Sequence, residues 1–222
     1  MATMDQSTPN RSAAAAGAER VKRHSLLDRA YHWLMALCVF VLMATAFLPI
    51  LGIKFQWLDI HWITGVVLAA LVLIHIVRAL VFQDWRNMWI GRADLRDLWR
   101  DAARLFGSRK PALLPGKYEA AQKLYHFGVA VVVLAVIGTG LLMLLKIDTP
   151  FWRRNPYWFS ADTWGWVYVL HGFAAMAIVA IVIVHLYFAL MPDSWYMLRA
   201  MVRGWISGND YSQHHDPARW KA

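Results

Sequence analysis

The sequence predicts an all-α integral membrane protein, a four-helix bundle with a cytoplasmic interfacial amphipathic helix. Of its 222 residues, 59% are apolar and 13 are tryptophan, which a soluble domain could not accommodate without large apolar surface patches. Four stretches of 18 to 30 residues contain no Asp, Glu, Lys or Arg, and a helix needs about 20 apolar residues to cross a bilayer. These stretches are residues 30–53, 60–77, 124–145 and 163–192.

Segments this long and continuous fit membrane helices rather than barrel strands, because lipid offers the backbone no hydrogen bonds. We predict one domain over residues 25–206, between a disordered cytoplasmic tail at residues 1–24 and a cytoplasmic tail at residues 207–222. His214 and His215, in the second tail, are expected to be solvated. The four helices are predicted at residues 26–50, 60–82, 121–145 and 163–190.

Lysine and arginine are distributed unevenly between the connections. The two chain ends and the connection between the second and third helices hold 19 of them, whereas the other two connections hold 4. Positive residues favour the cytoplasmic side of a membrane, so both termini are predicted to be cytoplasmic. This asymmetry accounts for the net charge of +9 without a nucleic-acid partner.

The connection between the second and third helices carries a helical pattern of its own. Apolar residues recur at helical spacing and charged residues fill the opposite face, which predicts a helix that lies on anionic membrane lipid. The apolar positions are Leu95, Leu98, Trp99, Ala102, Leu105 and Phe106.

The connection between the third and fourth helices is rich in aromatic residues. Such a belt anchors a protein at the membrane interface, and its density here also fits a docking surface for a partner. The aromatic residues are Phe151, Trp152, Tyr157, Trp158, Phe159, Trp164 and Trp166.

Histidines are frequent in the predicted helices, where an ionisable group is costly unless it has a partner or a function. His61 and His75 are 14 residues apart, and so are His171 and His185. Fourteen helical steps place both members of a pair on one helix face, within about 40°, and about 21 Å apart along the axis. The six histidines in or at the ends of the spans are His32, His61, His75, His126, His171 and His185.

This spacing predicts two haems held between helices, one near each side of the bilayer. Two neutral imidazoles fill both axial positions of a haem iron, which leaves electron transfer as its function. A proton relay would normally add Asp or Glu within the spans, and zinc would normally add cysteine or carboxylate ligands. Cys38 is the only cysteine, so covalent haem attachment is excluded. On spacing alone, His75 rather than His32 would be the inner ligand.

Several stretches, in this order and spacing, match a known family. They are Asp28–Trp33, His61 with Gly65, Val77 and Arg78, Gly116–Tyr118 with Gln122 and Lys123, His171 with His185, and the ending His214–Trp220. In these residues the chain resembles the gamma (cytochrome b) subunits of respiratory formate dehydrogenases. The resemblance covers about residues 23–220.

The resemblance implies two haem b groups with specific ligands. The outer haem would be held by His61 and His171, and the inner haem by His32 and His185. His32 and His75 lie at similar depth, so depth does not decide between them. We predict His32 because it lies in a matching motif, and we keep His75 as the alternative inner ligand.

The resemblance also implies that quinone is reduced beside the inner haem, at a stretch before the third helix. We predict quinone contacts from Tyr118, Glu119, Gln122 and His126. Glu119 stands where the family has asparagine. It either donates a proton to reduced quinone or caps the start of the helix near Lys123.

By resemblance, the chain is the electron-transfer and quinone-reducing subunit of formate dehydrogenase in the bacterial inner membrane, and not the formate-oxidising chain. Its partners would be an iron–sulfur beta subunit, docked at the aromatic outer face, and a molybdenum or tungsten alpha subunit. The alternatives are a cytochrome b subunit of nickel–iron hydrogenase or thiosulfate reductase, and a stand-alone di-haem cytochrome b. A structural anchor whose histidines bind nothing is a further, non-redox alternative.

Overall fold

The computed structural model describes residues 19–82, 88–107 and 114–220. Short 3₁₀ segments at Leu144–Lys146, Pro156–Trp158 and Pro192–Ser194 join the longer elements. In chain order, those elements are β1 (Arg20–Lys22), α1 (Leu26–Phe47), α2 (Trp57–Phe82), α3 (Arg92–Leu105), α4 (Ala120–Met143), α5 (Ala161–Leu190), α6 (Trp195–Arg203), β2 (Trp205–Ser207) and α7 (Gly208–His214).

Four helices are long and apolar enough to span a membrane, as predicted. They are α1, α2, α4 with its 3₁₀ extension, and α5, and they contain between 22 and 30 residues. At about 1.5 Å per residue, even the shortest extends about 33 Å, which matches a hydrocarbon core of about 30 Å. The fold prediction of an all-α integral membrane bundle is therefore confirmed.

Residues 30–82 and 125–187 form one compact unit, here called the span unit. Its helices are apolar on nearly every side, which is typical of membrane helices. Large apolar side chains such as Leu73, Val81 and Ile183 are more than 60% exposed. Lipid is a suitable solvent for such a surface, and the backbone hydrogen bonds are satisfied within each helix.

Residues 19–29, 88–107, 114–124 and 188–220 form a second compact unit, here called the terminal unit. In it β1 pairs with β2 as a two-stranded antiparallel sheet, with Val21 opposite Ile206. A small core of Tyr196, Ala200 and Ile206 is covered by Val21 and by side chains from α6, α7 and the C-terminal segment.

The amphipathic helix predicted in the long connection is present as α3. Its apolar side chains Leu95 and Trp99 are 58% and 77% exposed. The opposite face is held within the terminal unit by two ion pairs, Asp94 with Lys123 at 2.9 Å and Asp97 with Arg219 at 2.5 Å. The helix is thus attached by its acidic face and leaves its apolar face exposed, as an interfacial helix requires.

Both predicted tails contain ordered structure in the part of the chain that the structure describes. β1 lies within residues 1–24, whose first 18 residues are outside the described part, and α7 lies within residues 207–222. The expectation that His215 is solvated is wrong, because its side chain is only 1% exposed. It accepts a hydrogen bond at Nε2 from Arg23 at 3.0 Å, and its Nδ1 lies 2.7 Å from the carbonyl oxygen of Gly116.

The aromatic connection before α5 divides into packed and exposed residues. Trp164 is buried, donates a hydrogen bond to the carbonyl of Pro156 at 2.8 Å, and lies under the ammonium group of Lys146. These contacts fold the connection back on itself. The exposed aromatic side chains are Phe151, Trp152, Tyr157, Trp158, Phe159 and Trp166.

Candidate haem-binding site

Two pairs of histidines face each other within the span unit. The ring centroids of His61 on α2 and His171 on α5 are 6.4 Å apart. Those of His32 on α1 and His185 on α5 are 6.3 Å apart. Since α5 is continuous, 14 residues, or about 21 Å of helix axis, separate the two pairs. The four predicted iron ligands are brought together two by two, at two depths.

The spacing within each pair fits two imidazoles that bind one iron from opposite sides. A metal–imidazole bond is about 2.0 Å and the ring centroid lies about 1.1–1.2 Å behind the bonded nitrogen, so axial partners have centroids about 6.3 Å apart. Both observed separations agree with this value. Among residues 19–82, 88–107 and 114–220, no three His, Cys, Asp or Glu side chains group together as a metal site.

The ring of His61 is oriented by a threonine on the neighbouring helix. The hydroxyl oxygen of Thr45 on α1 lies 2.8 Å from Nδ1 of His61. The same hydroxyl donates to carbonyl oxygens of its own helix, with Val41 at 2.9 Å and Leu42 at 3.0 Å. Thr45 is itself only 3% exposed, so no water competes for these contacts.

His171 on α5 is oriented in the same way by a threonine on α4. The hydroxyl oxygen of Thr139 lies 3.0 Å from Nδ1 of His171. It donates to the carbonyl oxygens of Ala135 at 2.7 Å and Val136 at 3.2 Å. Each histidine of this pair therefore contacts a threonine from a helix other than its own.

These contacts select one tautomer of each ring. A hydroxyl has a single proton, and here two backbone carbonyls, which can only accept, take it. The threonine oxygen then accepts from the Nδ1–H of the histidine, and Nε2 keeps its lone pair. Metal-binding histidines commonly donate their other ring N–H in this way, which fixes the ring and raises its basicity.

A glycine lets His171 approach α4 closely. A Cβ atom at Gly140 would lie 3.2 Å from Cε1 of His171, so any side chain there would press against the ring. Sequence reasoning missed Thr45, Thr139 and Gly140 as site residues. The available signal was that each threonine is a polar residue within an otherwise apolar span.

The second pair has different surroundings. Nδ1 of His32 is buried and has no hydrogen-bond partner in the described part of the chain. The ring of Tyr125 stacks on His185 with centroids 5.7 Å apart and planes at 16°, and its hydroxyl donates to the carbonyl of Ile181 at 3.0 Å. His185 is thus held by stacking.

The alternative inner ligand, His75, lies beside Tyr31, with ring centroids 6.4 Å apart. The guanidinium carbon of Arg78 lies 5.7 Å from the centroid of the Tyr31 ring. The ring centroid of His32 lies 6.3 Å from that of His185, which is the spacing of two axial imidazoles. This geometry favours His32, whose assignment stays a prediction.

Comparison with known proteins gives the family. The sequence profile of prokaryotic cytochrome b561 matches residues 23–204, which is most of the chain and includes all four histidines of the two pairs. The chain belongs to the prokaryotic cytochrome b561 family. A cytochrome b carries haem b, so this cytochrome has the cofactor that the histidine pairs fit, in a bacterial membrane.

Curated relatives of this cytochrome are formate dehydrogenase subunits. The cytochrome b556(fdo) subunit of formate dehydrogenase from Escherichia coli strain K12 is 27% identical over 216 residues, which cover 91% of this chain and 92% of the relative. The nitrate-inducible cytochrome b556(Fdn) subunit of the same strain is 24% identical over 214 residues, covering 90% and 89%. The formate dehydrogenase cytochrome b556 subunit of Haemophilus influenzae is 22% identical over 213 residues, covering 90% and 82%. These matches confirm the resemblance stated from the sequence motifs.

Three of the predicted quinone contacts of this cytochrome lie in the terminal unit, and the fourth, His126, lies in the span unit. Glu119 immediately precedes α4, and its backbone N–H donates to the side-chain oxygen of Gln122 at 3.3 Å, one half of a capping box. Burial raises the pKa of Glu119, although the nearby charge of Arg23 opposes this effect. Burial also raises the pKa of Tyr118.

Proposed function

We propose that this cytochrome is the di-haem membrane subunit of a formate dehydrogenase, and that it passes electrons from an iron–sulfur subunit to membrane quinone. The observation that carries the proposal is the presence of two imidazole pairs with ring centroids 6.3 and 6.4 Å apart, 14 residues apart along one helix. The names of the curated relatives support formate as the source of the electrons.

In this proposal His61 and His171 hold the outer haem b, and His32 and His185 hold the inner one. When bound, each haem iron supplies reversible one-electron transfer. Two histidines would bind each iron, and a haem held in this way would have no position for oxygen or substrate. Thr45 and Thr139 orient the outer ligands, and the apolar helices exclude water, so the protein confines the chemistry to electron transfer.

Haem counting in histidine variants tests the ligand assignment. His32→Ala, His61→Ala, His171→Ala and His185→Ala should each lower the haem content of the purified protein from two per chain to one, measured as the pyridine haemochrome. His75→Ala and His126→Ala are the matched controls and should keep both haems. Loss of a haem in His75→Ala, with two retained in His32→Ala, would instead identify His75 as the ligand. A colourless wild-type protein would end the proposal.

The partner proposed for the outer face is an iron–sulfur beta subunit, which in turn contacts a molybdenum or tungsten alpha subunit. The support is the exposed aromatic group before α5, where Tyr157 is 91% and Phe151 is 80% exposed. Tyr157→Ser with Phe151→Ser should reduce the amount of beta subunit that copurifies, with haem content unchanged. Trp99→Ser, which changes an exposed aromatic residue of α3, is the control and should leave copurification unchanged. Equal copurification in all variants would mean that these rings only anchor the chain in lipid.

Quinone reduction is proposed to use Tyr118, Glu119 and Gln122, and His126 stays a prediction from the resemblance. The raised pKa of Glu119 keeps a larger share of its carboxyl protonated near neutral pH, so the group can donate a proton to reduced quinone. Glu119→Gln should lower quinone reduction while both haems remain. Unchanged turnover would leave Glu119 with only its position at the start of α4.

The electron donor and the topology are tested in membranes. Formate should reduce the b-type absorbance in membranes that contain the chain and its native partners, and hydrogen should not. Reduction by hydrogen alone would favour a hydrogenase subunit, and full activity of the isolated chain would favour a stand-alone cytochrome. Reporter fusions at either end should report a cytoplasmic location, because 19 lysines and arginines lie on that side and 4 on the other.

A further inference from the structure

A basic groove lies at the start of α1, and none of the paired histidines lines it. Its volume is about 300 Å³, at the lower end of the range of ligand pockets. Four of its eight lining residues are lysine or arginine, and none of the lining residues is acidic. The lining residues are Arg20, Lys22, His24, Leu26, Arg29, Arg203, Gly204 and Trp205.

The two-stranded sheet explains why the cations gather on one side. Side chains alternate between the two faces of a strand. Val21 and its partner Ile206 pack into the core of the terminal unit. Arg20 and Lys22 of β1 therefore point to the other face, where the Arg20 guanidinium lies 4.4 Å from the centroid of Trp205.

Two more arginines reach the same face from the ends of helices. Arg203 ends α6, and its guanidinium carbon lies 5.8 Å from the centroid of the same Trp205 ring. Arg29, in the first turn of α1, donates to the carbonyl of Val202. It packs against Gly204, where a Cβ atom would lie 3.2 Å from the Nε of Arg29. The Nε of Arg29 is buried without a partner in the described part of the chain. Like charges this close repel each other, so the groove is suited to an anion.

The position of the groove indicates the source of that anion. Leu26 lines the groove and is also the first residue of a membrane-spanning helix. Leu26 and Leu27 are 72% and 60% exposed, so an apolar surface begins directly beside the cations. A phosphate next to an apolar chain is the chemistry of a phospholipid at the headgroup level, where basic residues attract anionic lipid.

We propose that this groove binds the phosphate headgroup of an anionic phospholipid, whose acyl chains pack along the exposed leucines at the start of α1. Arg20, Lys22, Arg29 and Arg203 surround the phosphate, and the Trp205 ring holds Arg20 and Arg203 by cation–π contacts. The site does not depend on haem or quinone, so the test of lipid binding is independent of the proposed function.

The test measures lipid binding to the detergent-solubilised full chain by native mass spectrometry. Phosphatidylglycerol is titrated in parallel with zwitterionic phosphatidylcholine. Arg20→Gln with Arg203→Gln should weaken phosphatidylglycerol binding by roughly 25-fold, because each lost cation costs about fivefold in affinity near an anionic headgroup. Neither arginine makes an ion pair that the structure records, so the variant should fold. Arg20→Lys with Arg203→Lys keeps the charge and should retain most of the binding.

A matched control removes the same two charges elsewhere. Arg153→Gln with Arg154→Gln alters the connection before α5, and phosphatidylglycerol affinity should be unchanged. Equal affinity for the two lipids, or equal loss in the control, would overturn the proposal. Displacement of the lipid by an equal concentration of inorganic phosphate would make the free ion the ligand and would also overturn it. The proposal would also be overturned if Arg20→Gln with Arg203→Gln kept the same number of bound lipids but lost a copurifying protein. The groove would then be a protein contact.

Discussion

Replacing Thr45 by valine isolates the contact that orients His61. Valine keeps the shape of threonine but removes the oxygen that lies 2.8 Å from Nδ1 of His61. The carbonyls of Val41 and Leu42 remain in the backbone hydrogen bonds of α1, so the helix should persist. His61 then keeps only the backbone carbonyl of Leu42 as a nearby acceptor, and loss of the threonine contact should cost about 1 kcal/mol.

The hydrogen bond also makes the ring a stronger electron donor, so its loss should disfavour the oxidised, more positive iron. If the difference between the two oxidation states is about 1 kcal/mol, the value of one ordinary hydrogen bond, the midpoint potential should rise by about 40 mV for a one-electron couple. A redox titration of the b-type absorbance measures this shift. One of the two midpoints should move and the other should stay.

Two companion variants make the result decisive. Thr45→Ser restores the hydroxyl and should restore the wild-type midpoint. Thr139→Val acts on His171, the other proposed ligand of the outer haem, so it should move the same midpoint in the same direction. Unchanged midpoints with both haems retained would refute the role of the threonines but leave the proposed ligands standing. A wild-type protein that purifies without any haem would refute the ligand assignment itself.

Three further predictions concern local packing. Burial lowers the pKa of His215 to about 4 in the folded protein, compared with about 6.5 in the unfolded chain. The neutral ring therefore contributes its full stability to the C-terminal packing above pH 6.5, and this contribution falls by about 3 kcal/mol as the pH drops through 4. Hydrogen exchange of the C-terminal segment should accelerate over this range, and His215→Gln should remove that pH dependence. Gly140→Val should displace His171 and lower the haem content or broaden its spectrum, whereas Gly128→Val, with nothing within 4 Å of a Cβ there, should not. Asp97→Asn removes the charge that pairs with Arg219 at 2.5 Å and should weaken the C-terminal packing by about 1–2 kcal/mol, measured as faster trypsin cleavage after Arg219; unchanged cleavage would show that the pair contributes nothing.

The fold could be predicted because its main determinant is local in sequence. A run without charged residues that is long enough to cross a bilayer has few alternatives to a membrane helix, and all four runs became helices. Their ends were less predictable. The first helix was expected to continue to residue 50 but ends at Phe47, before Pro49, because proline lacks the N–H that would continue the helix.

The histidine pairing could be predicted only in part. A spacing of 14 residues fixes the depth of each histidine along its helix, and so it predicted two levels. Depth does not say which neighbouring helix faces a given ring, and therefore spacing alone favoured His75 where the structure gives His32 the axial distance to His185. The threonine contacts were missed for the same reason, since each joins two helices whose mutual rotation depends on packing.

The C-terminal packing was unpredictable because its contacts are distant in sequence. Arg23 and His215, which bond at 3.0 Å, are 192 residues apart. A histidine in a short polar C-terminal segment is predicted to be solvated. Its burial becomes favourable only because the side chain of Arg23 and the carbonyl of Gly116 supply hydrogen-bond partners. Such a buried polar network is stable only when its members are all paired, which no local pattern reports.

The difference between the two histidine pairs predicts a direction for the proposed electron path. Both rings of the His61–His171 pair donate to a threonine, and the Nδ1 of His32 in the other pair has no acceptor in the described part of the chain. Stronger donor ligands stabilise the oxidised iron, so we expect the lower midpoint at the His61–His171 pair. Electrons that enter at the outer face would then move to the inner pair with a fall in free energy, toward quinone. The threonine variants identify which measured midpoint belongs to the outer pair, and a higher midpoint there than at the inner pair would contradict this direction.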